Sequence, residues 1–486
     1  MKNNLKKIIF CISLVLIILL TNIKLSYALD YTYPMYTDEI QSKAAFVMDA
    51  DSSVVLYEYN GDEKLYPASL TKVMTAIIVL DRIGENFDDL VTFSYNSVTK
   101  DIDKNSVTIG ASAGDQLSVK DCLYSLLLPS ANDAANALAE YIAGSINDFA
   151  LLMNEKAKNL GCTNTHFTNP SGLHNDEQYT TASDMAKILQ CAISYPMFLQ
   201  ISSSVSYRHA PIRRYKNPEN SNNQVLNTNS IMVPGSGYYY NGITSGKTGH
   251  TTLAGYNIAA SARKHDMNLI CVLLGGASEK IRYNEAKSLF DFYFNNYKSL
   301  NIKTTDPRFN QKTNAITIND VNLVDTLNIT CNENSHITLP NNYGFNDIES
   351  KIIYEVEDEY NRYAIGTIYY YLGEKLVGKC TLEGRNIESP NSIFTTHLDL
   401  SRPISDDDVS VNTNNTSEEQ KTTNALIYRN QNGNLVISKS FVTLLTIILA
   451  IILIAIFSIL FYTMVLSNQN LPTNKLIFRL KRRFRR

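Results

Sequence analysis

The chain has 486 residues and a hydrophobic content of 44%, enough for two or three compact domains, which excludes disorder along its whole length. Its formal net charge of -3 supplies no overall field to draw it to nucleic acid or to an acidic surface, so any electrostatic function must be local.

In chain order, residues 1–28 read as an export signal. Lys2, Lys6 and Lys7 precede an uncharged run over 8–20, and the small residues Ser26 and Ala28 suit signal-peptidase cleavage. An uncleaved anchor is the alternative, although the run is short for a span. Two apolar runs over 45–48 and 54–57 flank a polar stretch and predict a β-hairpin over 44–59. Pro67-Ala68-Ser69 then precedes residues 70–83, apolar almost all round, as in a helix buried inside a domain with Ser69 at its N-terminus. Residues 115–195 are expected to be mostly helical, with Phe149, Leu152, Met153, Ala157 and Leu160 at three-to-four spacing. Strands are predicted over 253–262 and 267–274 about a polar turn, followed by an amphipathic helix over 279–297.

From about 300 to 389, alternating stretches such as 315–318 and 364–372 lie between Asn, Asp and Gly turns and predict a small antiparallel β domain, drawn as 300–390. Residues 401–424 are polar and poor in apolar side chains, so a solvated, disordered tether is expected over 400–438. Residues 441–466 carry no charge and are long enough to span a hydrocarbon core of about 30 Å. The basic tail at 467–486 that follows belongs in the cytoplasm by the positive-inside rule, which puts the body of the protein outside. Six cysteines lie beyond the signal. Their even number permits disulfides, but their scatter, without CxxC or metal-ligand spacing, favours buried free thiols.

Three short motifs carry the chemistry: Ser69-Leu70-Thr71-Lys72, Ser130-Ala131-Asn132 and Lys247-Thr248-Gly249. Each is weak alone; their order and their placement at a helix, a loop and a strand make chance improbable. Residues three apart share a helix face, so Lys72 can reach the Ser69 hydroxyl. A serine alcohol needs such a base, and a helix N-terminus favours a developing alkoxide. For Lys72 to accept a proton its pKa must fall, which a dry site and the second ammonium of Lys247 would both bring about.

These residues resemble the penicillin-recognising serine enzymes, and more narrowly the low-molecular-weight D,D-carboxypeptidases. The resemblance extends to the runs over 66–75, 153–157, 166–174, 181–184 and 227–229, and to His250-Thr251 and Ala254-Gly255-Tyr256. It implies an α+β fold: a β-lactamase/transpeptidase-like domain over 40–298, with an antiparallel sheet, helices and a helical subdomain, then the small all-β domain, to which the hydropathy adds the C-terminal transmembrane helix.

The resemblance further implies that Ser69 attacks the carbonyl between two D-alanines of a peptidoglycan stem peptide, while Lys72 takes its proton and Ser130 relays one to the leaving D-alanine. Asn132 would bind the substrate amide, Lys247 and Thr248 its carboxylate, and the Ser69 and His250 N–H groups the oxyanion, with Gly249 a further substrate-binding position. β-Lactams would trap Ser69 covalently, and neither metal nor organic cofactor is implied.

His174, His209 and His265 read as structural or surface residues, and Asp184 as a helix cap or brace. The anchor departs from the family's usual amphipathic helix, and residues 243–246 depart from its usual run. A D,D-endopeptidase acting on cross-links would use the same site. A β-lactamase would need a glutamate base, and Glu155 falls on the polar face of its helix. A catalytically inert wall-binding protein would be expected to lack Ser69, Lys72 or Lys247, and all three are present.

Overall fold

The computed structural model describes residues 31–385 apart from 101, 103–105, 214–222, 311–316, 319–320, 323–327 and 354–363, together with strands at 427–429 and 435–437. The expected signal at 1–28, span at 441–466 and basic tail at 467–486 lie outside the described residues, as does most of the tether. Among the described residues no helix is long and apolar enough to cross a membrane. One part of the expected tether is structured: Ile427–Arg429 pairs antiparallel with Leu435–Ile437. The polar composition that suggests a tether ends at 424, and the apolar residues beyond it are strand formers on either side of an Asn432-Gly433 turn signal.

The α+β expectation holds. Strands β1 (Ala44–Asp49), β2 (Val55–Tyr59), β3 (Ile243–Thr251), β4 (Gly255–Lys264) and β5 (Met267–Gly276) form an antiparallel sheet in the order β2-β1-β5-β4-β3. Both faces are covered, so the strands read as apolar runs rather than alternating ones. Phe46, Met48, Val272 and Leu274 join one core, whereas Ala45, Val47, Cys271 and Leu273 join the other. The strand predicted over 253–262 lies two residues later, because Leu253 stays exposed in the turn before Gly255, whose φ of +68° favours glycine.

Between β2 and β3 the chain inserts helices α1 (Thr71–Ile83), α2 (Val119–Leu127), α3 (Asn132–Ala143), α4 (Ile146–Asn159) and α5 (Ala182–Ile193). Helix α6 (Glu279–Asn296) covers the opposite face of the sheet with Tyr283, Ala286, Leu289 and Phe290. Helices α2, α4, α5 and α6 begin with the side chains of Ser118, Ser145, Thr181 and Ser278 accepting a backbone N–H of the first turn. Helices α1 and α3 have no such side-chain cap, and theirs are the N-termini that enter the site.

The helix expected to reach 297 stops at Asn296, because Tyr297 already opens β6 (Tyr297–Asn301), the first strand of the β domain. With β7 (Asn328–Cys331), β8 (His336–Pro340), β9 (Glu349–Ile353), β10 (Ala364–Leu372) and β11 (Lys375–Arg385) it forms a sheet ordered β6-β8-β11-β10-β9, with β7 also beside β11. The two sheets share a polar junction. The buried Asp49 carboxylate accepts from Thr338 Oγ1 at 3.0 Å and from the Asp51 and Ser52 N–H groups, while Ser52 Oγ lies 2.6 Å from Thr338 Oγ1. Burial raises the Asp49 pKa.

Candidate active site

The segment before α1 is bent to present Ser69. Ala68 stands at φ +48°, in the left-handed region that a non-glycine residue adopts only at a cost. Gly172 makes that bend possible: a Cβ on it would lie 1.9 Å from the Ala68 carbonyl oxygen, and its own φ is +82°. From the sheet, Asn257 Nδ2 donates to the carbonyls of Tyr66 at 2.9 Å and Pro67 at 3.2 Å, fixing the loop from below.

Lys72 is fully buried, and its ammonium donates to Ser69 Oγ at 3.1 Å, to Asn132 Oδ1 at 2.7 Å and to the Ser171 carbonyl at 2.5 Å. Burial, reinforced by the nearby Lys247 charge, holds its pKa well below the ordinary lysine value. Lys247 is itself buried, and desolvation, with the Arg282 guanidinium, lowers it to about 7. Its Nζ donates to the Thr248 carbonyl at 2.9 Å.

The remaining motif positions converge on the same place. Asn132 starts α3, touching Lys72 with its oxygen and Ser106 Oγ, at 3.2 Å, with its nitrogen. Ser130, at φ +73°, is buried, and its hydroxyl has no hydrogen-bond partner among the described residues. Next to Asn132, the Asp133 carboxylate accepts from the N–H groups of Ile109, Gly110 and Ala111, tying the 109–111 loop to α3. Gly249 lies where a Cβ would be 2.8 Å from the Pro67 carbonyl oxygen and 3.0 Å from the Ser69 nitrogen, so β3 passes directly against the nucleophile loop. Thr248 is buried at the strand edge, and exposed His250 packs on Tyr256, the ring centroids 4.1 Å apart.

The structure therefore brings Ser69, Lys72, Ser130, Asn132, Lys247, Thr248, Gly249 and His250 into one region where the helical subdomain meets the edge of the sheet. Glu155 is exposed on α4, as its helix face predicts. His209 is buried and its Nδ1 bonds to the Ala210 carbonyl, and His265 occupies the β4–β5 turn. His174 sits at the rim, edge-on to Tyr66 with ring centroids 4.7 Å apart. Asp184 does brace its surroundings, accepting from the Asn164 N–H and from Thr165 Oγ1.

Sequence reasoning assigned no role to Ser171, Asn257 or Arg282. The first acts through its carbonyl, which side-chain identity does not reveal. Asn257 directly follows the Ala254-Gly255-Tyr256 run and was open to notice there. Arg282 looks like an ordinary helical arginine, yet it is buried, with Nε unpartnered and the guanidinium 5.5 Å from the Tyr256 ring centroid.

The structure thus combines an antiparallel sheet covered on both faces, a helical insertion and, at their junction, a half-buried serine in contact with a fully buried lysine. A family model described as D-alanyl-D-alanine carboxypeptidase matches residues 32–278, and the chain belongs to that family. It is 35% identical over 276 residues to D-alanyl-D-alanine carboxypeptidase DacC of Escherichia coli, covering 56% of this chain and 65% of that one. Against DacF of Bacillus subtilis the identity is 31% over 264 residues, covering 53% and 64%. The chain thus spans just under two thirds of the length of these two relatives. DacA of Haemophilus influenzae is 30% identical over 376 residues, 75% of this chain and 90% of that one. Among solved structures, penicillin binding protein 5 of H. influenzae superposes with a TM-score of 0.55 at 26% identity, covering 72% of this chain and 98% of its own. Penicillin binding protein 6B of E. coli gives a TM-score of 0.54 at 27% identity, covering 72% and 96%.

Proposed function

We propose that the protein is a serine D-Ala-D-Ala carboxypeptidase that removes the terminal D-alanine from peptidoglycan stem peptides and is acylated by β-lactams at Ser69. The observation that carries this reading is the buried Lys72 Nζ in contact with Ser69 Oγ, with a pKa held low by burial and by Lys247. A neutral Lys72 takes the Ser69 proton as Oγ attacks the penultimate D-alanine carbonyl. The uncapped N-terminus of α1 and the Ser69 N–H stabilise the oxyanion, with the His250 N–H from β3 as second donor. Ser130 passes a proton to the departing D-alanine nitrogen. Asn132 orients the substrate amide, and Lys247 with Thr248 holds the terminal carboxylate through charge-assisted hydrogen bonds. Water then hydrolyses the acyl-enzyme.

An export signal at 1–28 and a span at 441–466 would hold this body on the outer face of the cytoplasmic membrane with the basic tail inside. The test of the chemistry is mass spectrometry after incubation with benzylpenicillin, together with D-alanine release from a pentapeptide. An adduct on Ser69 that Ser69→Ala abolishes, with D-alanine released, is expected. Rapid drug turnover without D-alanine would instead identify a β-lactamase, and a folded protein that forms no adduct would be an inert wall-binding one.

A further inference from the structure

Among the described residues of the β domain, Cys331 and Cys380 lie in one core with Ile337, Leu339, Ile368 and Leu382. Small exported domains commonly reinforce such cores with cross-links. Cys331 ends β7 and Cys380 lies on β11, the strand β7 pairs with. In that antiparallel register Cys331 stands opposite Leu382, so Cys380, two residues along, points to the same face and is its diagonal neighbour. Both are about 1% exposed in the same core. Both are free thiols in the structure, near enough that the Cys380 side chain lowers the Cys331 pKa and the Cys331 side chain raises that of Cys380. Among the described residues Cys122, Cys162, Cys191 and Cys271, free thiols as well, have no cysteine on a paired strand.

We propose that Cys331 and Cys380 are a disulfide-forming pair that staples β7 to β11 when the domain meets an oxidising compartment. The Cys331 thiolate attacks a sulfur of an external disulfide such as oxidised glutathione and expels one glutathione thiolate. Cys380, losing its proton to water, then attacks the Cys331 sulfur of the mixed disulfide and expels the second. Two protein thiols lose two electrons, and the glutathione disulfide is reduced to two thiols. The cross-link closes the long loop between 331 and 380, which restricts the unfolded chain more than the folded one.

The test uses the full chain in detergent, both native and after unfolding and refolding, in oxidised and in reduced glutathione, followed by acid quench, alkylation under denaturing conditions and peptide mapping. A linked Cys331–Cys380 peptide is expected in the oxidised samples, with the other cysteines alkylated. Dithiothreitol should lower the Tm of the β-domain transition by roughly 5–10 °C. The Cys331→Ser/Cys380→Ser double variant should show no such response. Free Cys331 and Cys380 after oxidative refolding, or a disulfide mapped to another pair, would overturn the proposal. Penicillin acylation of Ser69 is measured in the same samples, so a failed active-site reading is distinguished from a failed disulfide.

Discussion

At the scale of single residues, the proposed mechanism asks two lysines to serve opposite protonation states. In it Lys72 is neutral when it accepts the Ser69 proton, so activity should rise with pH through its lowered pKa. Lys247 must be charged to hold a carboxylate, so kcat/KM, which reports the free enzyme, should fall as pH rises through about 7. Lys247→Arg keeps the charge at all accessible pH, and stopped-flow acylation by a chromogenic β-lactam should show the alkaline limb moved up by at least about one pH unit. An unmoved limb would assign it to another group. Gly172 offers a second prediction at this scale. In Gly172→Ala the new Cβ would meet the Ala68 carbonyl oxygen at 1.9 Å with φ at +82°. The loop holding Ser69 must shift, costing about 2–4 kcal/mol of stability in urea titration and most of the acylation rate.

At the scale of elements, α1 and α3 enter the site without an N-cap side chain, and first-turn N–H groups are taken instead by the Ala68 and Ser69 carbonyls in α1 and by the Val107 carbonyl and the Asp133 carboxylate in α3. Elsewhere the Ser and Thr caps were legible as sequence signals. The buried-on-both-sides strands were recognisable as apolar runs, although the β4 start was not, since Leu253 reads as strand and lies exposed in a turn. The junction between β1 and β8 gives an element-scale prediction. Thr338→Val removes the donor to Asp49 Oδ2 and leaves Ser52 without its partner hydroxyl, so thermal unfolding should show a loss of about 1–3 kcal/mol. Acylation of Ser69 should be little changed, as the junction lies in the catalytic sheet's β1 and not on β3.

At the scale of the whole molecule, the described residues between 31 and 385 belong to one compact unit. A chain ending at 400 should thus keep its benzylpenicillin acylation rate within about twofold, since no group proposed for the chemistry lies beyond His250 in the sequence except the supporting Arg282. If the 441–466 span anchors the protein, the same truncation should move it from the membrane pellet to the soluble fraction, and a truncated protein that still pellets would locate the anchor elsewhere. By itself the sequence singled out the serine–lysine pair, because residues three apart on a helix share a face by local geometry, and it placed further strands after the first sheet through changes in apolar periodicity. Only the tertiary structure decided that β1 and β5, more than two hundred residues apart, complete one sheet, that the Ser171 carbonyl and the Arg282 charge bear on the lysines, and that Gly172 and Gly249 are needed for close backbone approach. Such facts depend on long-range packing and on backbone atoms common to every residue, which no local pattern of side chains encodes.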